Sequence, residues 1–110
     1  MRKITLNTVN AFVSHSNFSQ ANTVVSGGHV YLHGNLIARK LNNTQIQINF
    51  CHWVTSTTAD RINAIVSYCT NDKIKVGIKQ GEPELRYADG TKQNVNSGDW
   101  VTIDTLYMDC

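Results

Sequence analysis

Histidine and cysteine are the residues of this sequence whose chemistry could build a metal site. His29 and His33 are four residues apart, but they lie in a segment that reads as extended, where that spacing separates them by about 13 Å. Cys51, His52 and Cys69 lack the paired Cys-x-x-Cys spacing of structural zinc sites. We therefore expect buried cysteines and surface histidines, with no metal and no cofactor.

A catalytic thiol is the other chemistry that these residues could supply, because Cys51 or Cys69 could meet His33 or His52 in the folded chain. Neither cysteine has the glycine-flanked setting of an activated nucleophile at a helix start. The sequence also lacks glycine motifs that cradle phosphates, and its eight carboxylates are dispersed. The sequence therefore predicts that this protein is not an enzyme.

Recognition of a partner is the chemistry that the remaining side chains favour. Trp and Arg are enriched among the residues that dominate the energy of protein interfaces. The alternative is that the tryptophan fills the gap between sheet and helix and that the charges are only solvated. The candidate partner-binding residues are Arg39, Lys40, Trp53, Arg61, Lys73 and Lys75.

The elements that must position these residues are mostly strands. Strict alternation in Thr44–Phe50 predicts a strand with one buried face. It is expected to form a hairpin with His29–Leu41, which has a bulge or hairpin corner at Gly34-Asn35. Ser14–Asn22 reads as a surface loop. The other predicted strands are Lys3–Asn7, Thr23–Val25, residues 73–78, Leu85–Tyr87, Thr91–Val95 and Trp100–Leu106.

One helix is predicted over Thr58–Tyr68, where apolar residues recur at helical spacing. Thr57 is the expected N-cap, with Asp60 completing a pattern like a capping box. Arg61 lies off the apolar stripe and is expected at the surface. The apolar stripe consists of Ile62, Ile65, Val66 and Cys69. The order of elements predicts an α+β fold, with an antiparallel sheet of about five to seven short strands and a single helix packed on one face.

Length and composition set the broad class. A chain of 110 residues fits a single domain, here 1–110. A net charge of +2 is weaker than the basic balance usual for nucleic-acid-binding domains, so it neither requires nor excludes a nucleic-acid partner. No apolar run suggests a signal peptide or a membrane span, and three cysteines are an odd count that favours reduced thiols. We expect a cytoplasmic protein without membrane contact.

Three parts of the chain together resemble small bacteriophage-encoded proteins. The first is Leu32–Arg39, which contains a His-Gly-Asn-x-Ile-Ala segment, and the second is Trp53. The third is Thr57–Asn63, which matches a Thr-Thr-x-x-Arg-Leu-Asn helix start except that Ile62 replaces the Leu. The resemblance implies a virus protein that acts in the cytoplasm of an infected bacterium. It also implies structural roles for the shared residues, including His33.

Three functions follow as hypotheses. The first is a small phage-encoded interaction protein that binds, and in its sharper form inhibits, a host or phage protein, for example a CRISPR-type defence nuclease complex. The alternative is a nucleic-acid-binding domain with a modest basic surface formed by the five basic candidates. The third is a cysteine-dependent enzyme or inhibitor. A homo-oligomer that pairs through an edge strand also remains open.

Overall fold

The structure, a computed structural model, describes residues 2–105. Within that range the chain forms two helices, α1 (Lys3–Ser14) and α2 (Ser56–Cys69). The nine strands of that range are β1 (Phe18–Gln20), β2 (Thr23–Ser26), β3 (His29–Leu32), β4 (Asn35–Asn42), β5 (Gln45–Ile48), β6 (Ile74–Lys79), β7 (Glu82–Tyr87), β8 (Lys92–Asn94) and β9 (Val101–Asp104). Leu106, at the end of the last predicted strand, and Cys110 lie outside the described residues.

The strands form two antiparallel sheets. The large sheet has the order β1-β2-β3-β4-β5-β9, and the small sheet has the order β6-β7-β8. The predicted α+β class, with an antiparallel sheet and a helix across it, is confirmed. The predicted hairpin of His29–Leu41 with Thr44–Phe50 is also confirmed, because β4 pairs with β5. The prediction of a single helix is corrected, because a second helix covers the large sheet beside α2, and β6, β7 and β8 form a small sheet of their own.

The corner predicted at Gly34 is a tight hairpin turn between β3 and β4. Leu32 and Asn35 face each other across it, and both central residues have positive φ, 51° for His33 and 80° for Gly34. Positive φ at both central positions is the geometry of the two-residue turns that suit the twist of a hairpin. The turn therefore places the two halves of the predicted long strand side by side in the large sheet.

The amino-terminal prediction is wrong, since Lys3–Asn7 belongs to a helix and not to a strand. Ile4 and Leu6 do alternate with polar residues, but Leu6 is exposed. The buried face of α1 instead recurs at three- and four-residue spacing and includes two threonines that an apolar pattern does not reveal. This face consists of Thr5, Thr8, Val9 and Phe12.

Two further predictions are corrected nearby. Ser14–Asn22 is predicted to be a loop, but it contains β1, an edge strand of the large sheet. Helix α2 is capped by Thr55 rather than Thr57, because the Thr58 amide donates to the Thr55 hydroxyl at 3.2 Å. The predicted capping partner Asp60 instead accepts hydrogen bonds from Thr5 and Arg61. Thr55 and Thr57 are equally suitable N-cap residues by local sequence, so the packing of the helix decides which of them caps it.

The core lies between the large sheet and the two helices. Fully buried side chains from the inner face of the sheet meet α1 and α2, and β6 packs on α2 from the other side. The largest apolar ones include Phe12, Phe50, Ile37, Ile46, Ile48, Ile62 and Ile65. Both helices thus cover one face of the large sheet. Within residues 2–105, no helix is long and apolar enough to cross a membrane.

Candidate functional site

Arg61 is the candidate residue whose environment differs most from the expected one. It is 2% exposed, so the prediction that it lies at the surface is wrong. Its guanidinium donates to the Thr5 hydroxyl at 2.6 Å and to the Asp60 carboxylate at 2.8 Å, and its Nε lies 3.4 Å from the Thr23 hydroxyl. These contacts join α1, α2 and β2. Arg61 is therefore a structural residue. The resemblance of Thr57–Asn63 to phage proteins implied the same role.

Lys40 and Trp53 lie apart from each other. Lys40 is on the helix-covered side of the large sheet, where its Nζ lies 2.8 Å from His15 Nε2 and 5.3 Å from the centre of the Phe12 ring. Trp53 does not fill the gap between sheet and helix, because it is 52% exposed. Its ring lies 6.4 Å from the ring of His33. The contacts of residues 2–105 thus place Lys40 beside α1 and Trp53 beside the β3–β4 turn.

Lys73 and Lys75 belong to the small sheet. Lys75 is exposed on β6, and Lys73 is exposed just before that strand. The structure thus distributes the six candidate residues over five surroundings, the fifth being that of Arg39. The basic candidates do not form the single surface that the nucleic-acid hypothesis required of them.

Arg39 is the candidate that leads to a recognisable site. It lies on the face of the large sheet opposite to the helices, and its guanidinium carbon is 3.9 Å from the centre of the Trp100 ring. Its Nε also donates to the Gln47 side chain at 2.9 Å. A guanidinium stacked on an indole is held by attraction to the negative face of the ring. The two contacts restrict the orientation of the Arg39 side chain.

Two more rings continue this surface beyond Arg39. His29 faces Arg39 directly across β3 and β4. Its ring stacks with the Tyr31 ring at a centroid distance of 6.5 Å and an interplanar angle of 24°. Tyr31 in turn faces the exposed side chain of Val24 on β2. We call this surface the open sheet face, and it consists of Val24, His29, Tyr31, Arg39, Gln47 and Trp100.

A polar ladder borders the open sheet face on the β5–β9 side. Gln47 donates to the Thr102 hydroxyl at 3.0 Å, and Gln45 donates to the Asp104 carboxylate at 2.9 Å. Cross-strand side-chain pairs of this kind stabilise a sheet and restrict rotamers. The ladder therefore restricts the Gln47 side chain, which is also the hydrogen-bond partner of Arg39.

The sequence did not reveal Tyr31 and Trp100 as members of this site. Tyr31 lies two residues after His29, so strand alternation places both on one face, and this was a usable signal. Trp100 is 61 positions after Arg39 in sequence, and only the pairing of β5 with both β4 and β9 brings the two together. The second contact could not be predicted from local patterns.

Cys51 is the half-buried thiol that the enzyme hypothesis would use. Its Sγ lies 3.1 Å from the Leu36 carbonyl oxygen, to which it donates. Burial raises the pKa of the Cys51 thiol above its ordinary value. A raised pKa leaves less thiolate at neutral pH, and the thiolate is the nucleophilic form.

We expect slow alkylation of Cys51 as a consequence. In a Cys110→Ser background at pH 7.5, iodoacetamide should modify Cys51 several-fold more slowly than it modifies a cysteine in a short peptide, because less thiolate is present. Peptide mass spectrometry over time would give the rate and separate Cys51 from buried Cys69. If Cys51 reacts faster than the peptide cysteine, the result would contradict the raised pKa and support the hypothesis that Cys51 is a nucleophile.

The family model described as Kyanoviridae Gp96 protein matches residues 1–106. No curated protein and no solved structure matches the chain. The match covers nearly the whole chain, including the open sheet face and both sheets.

Proposed function

The chain belongs to the Kyanoviridae Gp96 protein family, a phage family, and on that premise we propose that it is an interaction protein. It binds a protein of the infected host through the open sheet face and inhibits that protein. A component of a defence complex, such as a CRISPR-type nuclease, is the target class that we propose. The protein acts in the host cytoplasm by occupying a surface, without turnover.

The observation that carries this proposal is the stacking of Arg39 on Trp100 in the face that the helices leave uncovered. Arg, Trp and Tyr are the residue types most enriched among interface hot spots. Here all three lie on one face and are held by neighbours, with Arg39 fixed by Trp100 and Gln47. Side chains that are already ordered lose little entropy on binding, which increases the affinity of such a surface.

The charge of the open sheet face supports a protein partner over a nucleic acid. Its fixed positive charge is Arg39, and Asp104 on the adjoining polar ladder has the opposite sign. Affinity for nucleic acids depends mainly on lysines and arginines that neutralise phosphates. A nearly neutral surface of rings and amides lacks that source of affinity, whereas it matches the aromatic and arginine-rich centres of protein interfaces.

The setting of Cys51 supports binding without catalysis. The thiol is hydrogen-bonded to a backbone carbonyl and its pKa is raised. A thiol in this state is a poor nucleophile. The half-exposed rings of the open sheet face, by contrast, are directly available to a partner.

Affinity capture with matched tyrosine variants tests the binding surface. Tagged wild-type protein and the variants Tyr31→Ala and Tyr68→Ala would be used to capture proteins from a lysate of the host. Tyr68 lies on α2, away from the open sheet face, and is 53% exposed. We expect one host protein to be retained by the wild type and by Tyr68→Ala but strongly depleted with Tyr31→Ala, because only Tyr31 belongs to the open sheet face. The captured protein must then bind the purified chain directly, and equal retention by both variants would contradict the proposal.

Inhibition is tested separately from binding. The chain would be expressed in bacteria that carry an active CRISPR-type nuclease directed at an infecting phage, and the plating efficiency of that phage would be counted. We expect plating to rise with the wild-type chain and not with Tyr31→Ala, because both steps use the open sheet face. If the chain binds a nuclease component stably but the plating efficiency does not change, the chain binds without inhibiting. That result would refute this part of the proposal.

A further inference from the structure

The outer face of the small sheet carries a row of basic residues that the proposed function does not use. Lys75 on β6 faces Arg86 on β7, and Arg86 faces Lys92 on β8. All three side chains are exposed. Neighbouring strands are about 4.8 Å apart, so the row is about 10 Å long.

A fourth cation and two carboxylates lie on the same face as the row. Lys79 lies on β6 on the same side as Lys75 and faces Glu82 on β7. Glu84 is only 2% exposed, and its carboxylate accepts a hydrogen bond from Arg86 Nε at 3.2 Å. This face thus carries four cations and two carboxylates. Lys75 and Lys92 each have the like-charged Arg86 as their direct cross-strand neighbour. We call this surface the basic sheet face, and it consists of Lys75, Lys79, Arg86 and Lys92.

Gly77 leaves room for the side chain at the centre of the row. A Cβ atom at Gly77 would lie 2.6 Å from the guanidinium carbon of Arg86. A side chain at position 77 would therefore displace the Arg86 guanidinium from its place across β6. Glu84 accepts a hydrogen bond from Nε of the same guanidinium, so the Arg86 side chain is held at its centre while 46% of it stays exposed.

Like charges directly opposite each other destabilise an antiparallel sheet. Two pairs of like charges occur side by side here, Lys75 with Arg86 and Arg86 with Lys92. Both pairs lie on an exposed surface, and no acidic residue stands between their members in the row. A polyanion that lies along the row would neutralise this repulsion. We propose that the basic sheet face binds the sugar–phosphate backbone of double-stranded DNA, independently of its sequence.

Double-stranded DNA fits this surface better than a single strand does. Binding of single strands usually combines basic residues with aromatic side chains on which bases stack. The aromatic residue of β7, Tyr87, points to the other side of the small sheet, since it alternates with Arg86. A flat surface that offers only charge gains most from the ligand with the densest phosphates, and duplex DNA carries one charge per about 1.7 Å of its axis.

The test compares two variants that each remove two charges. Lys75→Gln/Lys92→Gln changes the basic sheet face but leaves the Arg86–Glu84 pair intact, and Arg2→Gln/Lys3→Gln removes two exposed charges at the start of α1. Binding to a fluorescein-labelled 30-base-pair duplex, to one of its strands and to poly-glutamate would be measured by anisotropy and competition between 50 and 300 mM NaCl. Thermal melting of each variant checks that it is folded.

We expect the wild type to bind the duplex at 50 mM NaCl with an affinity that falls with salt. The slope of log affinity against log salt should be about −3.6 if all four cations contact phosphates, and about −1.8 for Lys75→Gln/Lys92→Gln. The affinity of that variant at 50 mM NaCl should fall by about tenfold or more, whereas Arg2→Gln/Lys3→Gln should stay within about twofold. Trp100→Ala, which alters the open sheet face, should bind the duplex like the wild type.

Several results would overturn the assignment. One is the absence of duplex binding by the folded wild type at 50 mM NaCl, and another is an equal loss in the two double variants. Tighter binding of the single strand would show that bases and not phosphate density provide the affinity. Equal competition by poly-glutamate would show that the face recognises acidic protein segments in place of DNA.

Discussion

We expect Trp100→Ala to weaken binding of the chain to its host protein by about 30-fold, which corresponds to about 2 kcal/mol and is typical of a central interface hot spot. The substitution removes the largest ring of the open sheet face. It also removes the surface on which the Arg39 guanidinium rests at 3.9 Å. Arg39 then keeps one of these two contacts, the hydrogen bond to Gln47, and must lose more rotamer freedom on binding. Isothermal titration calorimetry with the captured and purified partner would give the change in Kd.

Trp53→Ala is the matched control for this prediction. Trp53 is the other tryptophan of the chain and is 52% exposed, but it contacts His33 at the β3–β4 turn. We expect its removal to change the Kd by less than about threefold, because hot spots are few within an interface. If Trp53→Ala weakens binding more than Trp100→Ala does, the partner docks at the turn and the open sheet face is not the binding site.

Asp60→Ala should destabilise the protein by about 3 kcal/mol, because it leaves the buried Arg61 guanidinium without its carboxylate. Arg61 is 2% exposed, and its ion pair with Asp60 has an N···O distance of 2.8 Å. Thr5 also loses its acceptor, since its hydroxyl donates to the same carboxylate. A loss of 3 kcal/mol lowers the melting temperature of a chain of this size by about 15 °C. Differential scanning calorimetry and urea unfolding would both measure it.

Two comparisons isolate the cause of that loss. Asp99→Ala removes an exposed carboxylate and should cost about 0.5 kcal/mol or less. The double variant Asp60→Ala/Arg61→Met removes the buried charge together with its partner, so it should be no less stable than Asp60→Ala alone. If the double variant is much less stable than Asp60→Ala, the unpaired buried charge is not the cause of the destabilisation.

Local sequence patterns predict those strands, turns and helices whose conformation depends on residues that are close in sequence. In Gln45–Ile48 the alternation of Ile46 and Ile48 with glutamines marks a strand with one buried face, and the structure confirms it. Gly34 marks a hairpin turn because the turn needs positive φ. Helix α2 follows the apolar stripe that begins at Ile62, and its true boundaries differ from the predicted ones by one or two residues.

Helix α1 shows why this reasoning fails when buried positions are polar. Its inner face includes Thr5 and Thr8, both fully buried. The Thr8 hydroxyl donates to the Ile4 carbonyl within the helix, and the Thr5 hydroxyl bonds to Asp60, 55 positions away. Threonine is suitable for this face only because these partners exist in the folded protein. The local sequence, with Ile4 and Leu6 alternating, favours a strand.

Local patterns in the sequence predicted the α+β class, the central hairpin and the course of α2, because periodicity within short segments marks strands and helices. The phage origin is supported by a family match that spans residues 1–106 and not by the short motif. Tertiary structure alone decided which charged residues meet. Sheet pairing brought Trp100 under Arg39 and aligned Lys75, Arg86 and Lys92, while helix packing buried Arg61 against Asp60 and Thr5. Register and packing between distant segments are properties of the whole chain, so a surface assembled from several strands becomes visible only once they are paired.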